Sequence, residues 1–271
     1  MTTTAYKCPV CSLPLHITGK SCICENGHNF DIAKEGYVNL ALGKSDSGDS
    51  AEMCLSRRRF LSKGYYEKFA LLLCETLNKY ADPFKVLDAG CGEGYYLRAA
   101  RKYFPNSELY GVDLAKEAIK LAAKSEKTSD GEKNRYSVCG IFSLPFFDET
   151  FNAVISVFAP VGEKENFRVL KEGGFMFVAG PGKYHLSGLK KAIYENPYDN
   201  EEKMREYEGF KYIGKESLDY DARIAEEDIT DLFAMTPYYW KTSRSDAQKL
   251  LRFPFIDTEL SFEISVYQKI T

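Results

Sequence analysis

Apolar residues recur along this 271-residue chain in two rhythms. Between 51 and 80, Leu61, Tyr65, Phe69, Leu72, Leu73 and Leu77 fall at three- and four-residue spacings, which predicts a helical stretch with one apolar face. From 82 onward the rhythm shortens. DPFKVLDAGCGEGYYLRAARKYF reads as a buried strand, a glycine turn and a helix, and ELYGVDLAKEAIKLAAK repeats the scheme with its strand ending near Asp113. YSVCGIFSLPF predicts a strand and loop, FNAVISVFAP a strand, NFRVLKEGG a helix end with a glycine stop, and GFMFVAGP another strand. LSFEISVYQKI alternates Phe262, Ile264 and Val266 as a final strand should, whereas 185–235 reads as a charged, helical insertion over the open edge of the sheet. Strands alternating with helices predict an α/β fold with a mostly parallel sheet and a ligand site beyond the carboxyl ends of its strands. No 20–50-residue repeat interrupts this pattern.

The front of the chain obeys neither rhythm. KCPVCSLPLHITGKSCICENGHNFD (7–31) holds six side chains able to bind a metal: Cys8, Cys11, His16, Cys22, Cys24 and His28. A tetrahedral zinc site needs four. Four of the eight cysteines lie in the first 24 residues, and in a reducing compartment such clustering points to metal rather than to disulfides. The small, polar GKSDSGDS (43–50) that follows reads as a linker or exposed loop.

The glycine turn VLDAGCGEG carries the most chemistry. Gly90, Gly92 and Gly94 are spaced G-x-G-x-G, one residue tighter than the dinucleotide fingerprint, and Asp88 and Glu93 add negative charge. Those charges disfavour a pyrophosphate. They suit a cofactor with a cationic end, such as the ammonium and sulfonium of S-adenosylmethionine. Asp113, nineteen residues past Gly94, is placed to accept ribose hydroxyls. Gly140 to Pro145 should run beside the adenine and Phe158-Ala159-Pro160 beside the methyl group. The latter triplet lacks the side-chain amide that orients an exocyclic amine, while Phe158 reads equally as a base-stacking ring or a buried core residue.

Composition narrows the partners. A net charge of −3 argues against binding nucleic acid through a general basic surface, and residues 1–70 carry nine Lys plus Arg against seven Asp plus Glu. Arg57, Arg58 and Arg59 form the clearest basic cluster and are candidates for RNA phosphate contacts. Tyr238, Tyr239 and Trp240 suit either an aromatic platform for a base or the core, and read chiefly as core. The longest apolar stretch, AVISVFAPV, is too short for a bilayer, and MTTTAYKC lacks a secretory pattern, so a cytosolic protein with no membrane association is expected.

The Cys-x-x-Cys…Cys-x-x-x-His stretch, FDIAKEGYVNL, GDSAEM with RRRF, VLDAGCGEGYY, LPF, FAP, PGKYHL and MTPYYW together resemble the bacterial 23S ribosomal RNA guanine-N1-methyltransferases of the RlmA type, from about residue 8 to the end. That family includes a macrolide-resistance methyltransferase. The resemblance implies a Rossmann-like class I methyltransferase fold with a mostly parallel seven-stranded sheet. It implies a zinc-binding module at 1–42, a linker and helical segment at 43–80, and a methyltransferase domain at 81–271. It further implies a homodimer that methylates N1 of a guanine in a 23S rRNA hairpin. Cys8, Cys11, Cys24 and His28 fall on the family's structural zinc ligands, and Cys22 stands where a non-ligand is expected. Gly92, Glu93, Tyr66 and His185 fall on its S-adenosylmethionine contacts. A small-molecule methyltransferase with a purely structural zinc module, or a non-catalytic RNA-binding factor, are the competing readings.

Overall fold

The computed structural model describes residues 2–43, 49–82, 84–126, 133–201 and 204–270; most of the predicted 43–50 linker lies outside them. At the front, β1 (Thr2–Lys7), β2 (Pro14–Thr18), β3 (Ser21–Ile23) and β4 (Asn29–Asp31) form an antiparallel four-stranded sheet, followed by the two-residue β5 (Val38–Asn39). Helix α1 (Ala51–Ser62) begins at Ser50, whose hydroxyl accepts from the Met53 N–H. It does not run on to Tyr80 as the apolar spacing predicts. Gly64, at φ +85°, breaks the stretch, and α2 (Glu67–Tyr80) starts afresh.

The remaining elements are β6 (Lys85–Ala89), α3 (Tyr95–Tyr103), β7 (Glu108–Asp113), α4 (Lys116–Glu126), β8 (Arg135–Val138), β9 (Phe151–Val157), α5 (Glu163–Val169), β10 (Leu170–Pro181), α6 (Ser187–Ile193), β11 (Phe210–Ala225), α7 (Glu226–Ala234), α8 (Tyr238–Lys241), α9 (Arg244–Lys249) and β12 (Phe255–Lys269). The large sheet has the order β11-β12-β10-β9-β6-β7-β8-β5, parallel from β10 to β5, with β12 antiparallel to both its neighbours. It therefore has eight strands, not seven. The eighth comes from the front of the chain, because Val38 and Asn39 pair with Ser137 and Val138.

Residues 185–235 also depart from the helical expectation, since Phe210–Ala225 pairs along its whole length with β12. The period-2 signal was present: Leu218, Tyr220, Ala222 and Ile224 turn inward to the core. The charges between them sit on the open face of an edge strand.

Alternation along β6 separates two cores. Val86 faces the helices, whereas Leu87 and Ala89 face the zinc-ribbon side. The 139–150 connection from β8 to β9 contains no helix, and the small sheet covers that face instead. Tyr6 stacks on Phe146 (5.1 Å between ring centres) and meets Tyr110 edge-on (5.7 Å), while the Lys7 N–H donates to the Pro145 carbonyl (2.9 Å). Leu15, Cys22, Val38 and Leu40 are buried in the same cluster as Tyr110, Val112 and Val154. The front module and the large sheet share one core.

Candidate cofactor site and zinc centre

The glycine loop joins β6 to α3 at the carboxyl edge of the sheet. Gly90 and Cys91 donate their N–H groups to the Val112 carbonyl (2.8 and 2.9 Å), which folds the loop onto β7. All three glycines have positive φ, but each meets a different constraint. A Cβ on Gly90 would lie 2.6 Å from that of Ala159, so the Phe158-Ala159-Pro160 turn presses on the loop. A Cβ on Gly94 would lie 2.6 Å from the Tyr136 hydroxyl and 3.0 Å from Ala122 Cβ. The tight third glycine thus packs the loop against β8 and α4. Gly92 is open, with an Arg57 guanidinium nitrogen 3.8 Å from its would-be Cβ.

The three acids expected here have different fates, and a fourth joins them. Asp113 accepts from the Gly92 N–H (2.9 Å) and the Ala115 N–H (2.8 Å), one bond to each oxygen, so lone pairs remain for a ligand. Burial raises its pKa, and the two backbone donors and Arg57 pull against that rise. Asp88 is fully buried, and neither carboxylate oxygen has a hydrogen-bond partner. Desolvation and, after it, the charge of Asp113 push its pKa well up. Glu93 does not charge the ligand face as expected. It turns inward to Arg98 (2.7 and 2.8 Å) and faces Arg58 at 3.6 Å. Asp49, which the sequence did not single out, accepts from Arg57 at 2.6 Å. Its signal was its place in the same GDSAEM–RRRF run as the arginine that it holds.

Tyr66 and His185, 119 residues apart, meet under Phe158. The Ser261 N–H donates to His185 Nδ1 (3.3 Å), so Nε2 carries the proton and donates to the Tyr66 oxygen (3.2 Å). Burial holds the His185 pKa down to about 3, and burial pushes the Tyr66 phenol up, so both are neutral near pH 7. The Tyr66 proton is left to point elsewhere. Phe158 lies 6.4 Å from the Tyr66 ring and 5.7 Å from that of His185, has φ +52° and is 46% exposed. A bulky residue held at positive φ is a strained feature, and such strain clusters at functional sites.

The arginine cluster falls on protein partners. Successive helical residues point about 100° apart, so three in a row cannot face one ligand. Arg57 reaches Asp49 beside the glycine loop, Arg58 reaches the Leu121 carbonyl and Glu93, and Arg59 makes a two-pronged pair with Asp231 (2.6 and 2.8 Å). These bonds give each of the three RNA-contact candidates a protein partner. They pin α1 across the ligand edge of the sheet.

In the small sheet, the Sγ atoms of Cys8, Cys11 and Cys24 and a ring nitrogen of His28 lie within 4.8 Å of one another. The Cys11–Cys24 sulfurs are 3.6 Å apart, and His28 Nδ1 is 3.6 Å from Cys8 and 3.4 Å from Cys24. Tetrahedral zinc with its usual bond lengths requires about 3.8 Å between sulfurs and about 3.5 Å from sulfur to nitrogen. The donor set fits zinc with no open position, so the metal is structural. Cys22 is buried in the shared core, and neither it nor His16 belongs to the cluster.

A zinc-ribbon family described as RlmA, N-terminal, matches residues 6–41, and a methyltransferase domain matches 86–174. A putative 23S rRNA (guanine-N(1)-)-methyltransferase of Micromonospora griseorubida is 30% identical over 261 residues, covering 87% of each chain. The chain belongs to this methyltransferase family. A further member, the 23S rRNA (guanine(748)-N(1))-methyltransferase of Streptomyces fradiae, is 28% identical and covers 92% of this chain and 91% of its own. Outside the family, the YcgJ protein of Bacillus subtilis shares the fold at 19% identity (TM-score 0.50), covering 74% of this chain and 98% of its own. A geranyl diphosphate methyltransferase solved with S-adenosylmethionine does so at 15% identity (TM-score 0.50), covering 83% and 93%. The class I methyltransferase fold, S-adenosylmethionine as cofactor and structural zinc thus follow for this 23S rRNA methyltransferase relative. Among the described residues, no helix is long and apolar enough to cross a membrane.

Proposed function

We propose that the chain methylates N1 of a guanine in a hairpin loop of 23S ribosomal RNA, using S-adenosylmethionine. The observation that carries the site is Asp88, a buried carboxylate with no protein partner under an open glycine loop. Such a group is costly unless a cationic ligand lies over it, and the cofactor's charged end meets that need.

Asp113 would hold the ribose hydroxyls, Gly90, Gly92 and Gly94 allow the backbone to approach, and Tyr66 offers its hydroxyl proton to the cofactor's carboxylate. Glu93, through its bonds to Arg98, shapes the loop from behind. When bound, the cofactor supplies a methyl group on a sulfonium. The chain's own work is to orient the acceptor nitrogen, and positioning of this kind can supply much of the acceleration. Guanine N1 lies on the Watson–Crick edge, so the base must be unpaired or flipped out, and the half-exposed Phe158 is placed to stack on it. His185 is not the base for the N1 proton. Its unprotonated nitrogen already accepts from Ser261, and its pKa near 3 makes it a weak acceptor.

The RNA partner, the cytosolic setting and a homodimer of twice 30.7 kDa rest on the family resemblance. The test is transfer of labelled methyl from S-adenosylmethionine to an unmodified large-subunit RNA transcript, followed by nucleoside mass spectrometry. 1-Methylguanosine is expected; labelled RNA without it, or no labelled RNA, overturns the reading.

A further inference from the structure

Strand β11 runs parallel to the central strands, so it ends at the same edge of the sheet as the glycine loop, and β12 starts back from that edge. The excursion between them, 226–254, therefore stands at the ligand edge. Arg59–Asp231 and Lys63–Asp228 (3.2 Å) tie its first helix to α1. Tyr238 anchors the next helix, buried in the main core with its ring 6.2 Å from Tyr194, and Thr242 meets the Tyr194 hydroxyl at 3.1 Å.

That anchor turns its neighbours outward. Tyr239 and Trp240 pack edge to face (5.2 Å) and are 43% and 63% exposed. The run Leu251-Arg252-Phe253-Pro254-Phe255, at the return of the same excursion to the sheet, is exposed as well, and the Arg223 guanidinium lies over the Phe255 ring at 4.0 Å. From 238 to 255 the chain carries Lys241, Arg244, Lys249 and Arg252 against Asp246, a net +3 in a chain of net −3. Exposed aromatic rings set among cations are the chemistry that binds unpaired nucleotides, the bases stacking and the phosphates meeting positive charge.

We infer that the surface formed by α8 and the 251–255 run holds the single-stranded RNA flanking the target guanine, a role that rests on the RNA reading above. Trp240 and Tyr239 stack on bases, and Arg244 and Arg252 meet phosphates. The expectation that 238–240 is mostly core holds for Tyr238 alone.

The test uses the full chain with zinc bound and an unmodified 23S hairpin transcript as probe. Trp240→Ala with Tyr239→Ala should weaken RNA binding at least about fivefold, and Trp240→Phe should recover most of the loss. Arg244→Ala with Arg252→Ala should flatten the dependence of log affinity on log salt by about 1.5. S-adenosylmethionine affinity, measured by calorimetry, should stay unchanged in every variant, which shows that each is folded. A wild type that methylates the transcript beside variants that bind it equally well overturns this inference alone. A wild type that neither binds nor methylates it overturns the parent reading as well. Conversion of a dimer to a monomer by Trp240→Ala in sedimentation, with RNA affinity intact, assigns the patch to a second copy and overturns the inference.

Discussion

Asp88 shows how one residue sets stability against function. Its native pKa stands well above the ordinary carboxylate value, first through desolvation and then through Asp113. The folded chain therefore holds a proton that the unfolded chain releases near pH 4. Stability contributed at this position falls as pH rises from the unfolded pKa towards the native one. Asp88→Asn should raise the melting temperature at pH 8, because the neutral amide takes up no proton on folding. The gain should shrink at pH 5, and S-adenosylmethionine affinity should fall. Calorimetric melts at both pH values check this, and a lower melting point at pH 8 counts against it. Arg57 is the second case. It bonds Asp49 and faces Gly92 and Asp113. Arg57→Ala should weaken cofactor binding about tenfold while leaving RNA affinity within about twofold, since its guanidinium is held by Asp49. The opposite pattern in paired cofactor and RNA titrations would return Arg57 to the RNA.

At the scale of elements, the zinc knuckles are short-range constructions. In the first, Cys8 N–H donates to Leu13 (2.7 Å) and Ser12 N–H to Cys8 (2.8 Å). In the second, Gly27 at φ +78° turns the chain so that His28 returns beside Cys24. Such turns are written in neighbouring residues, so four of the six possible ligands were legible from their spacing and family likeness. Cys22→Ser should leave one zinc per chain and cost stability by placing a hydroxyl in the shared core. Cys24→Ser should lose the metal, as atomic absorption would report; retention of zinc by that variant would refute the ligand set. Helix α1 was less legible. Its arginines read as one basic cluster, yet the helical turn sends each to different protein groups, Leu121 and Asp231 among them far away in sequence.

Across the whole molecule, the ribbon is part of the enzyme's core rather than an appendage. Tyr6 and Leu15 are buried against or beside residues of the large sheet, and a side chain such as Leu15 stabilises by about 1.5–3 kcal/mol. β5 adds a strand to the large sheet. Stripping zinc with a chelator should therefore lower one common melting transition and weaken S-adenosylmethionine binding with it. Two transitions in a calorimetric scan, the upper one unmoved by chelation, would show that the modules melt apart.

What depends on near neighbours could be read from the chain: the strand–glycine–helix unit and the succession β6 to β10 with β12, while the choice of four zinc ligands among six came from the family likeness. Short spacing fixes which side chains share a face or a turn, and no distant partner is needed. Contacts made on folding set the remainder. Phe210–Ala225 became an edge strand because β12 offered it a partner along its whole length. Glu93 left the ligand face because Arg98 and Arg58 converge behind it. Tyr239 and Trp240 stayed outside because Tyr238 took the place in the core. In each case the outcome was settled by which charge or apolar surface lay opposite after folding, and that pairing is not encoded in local spacing.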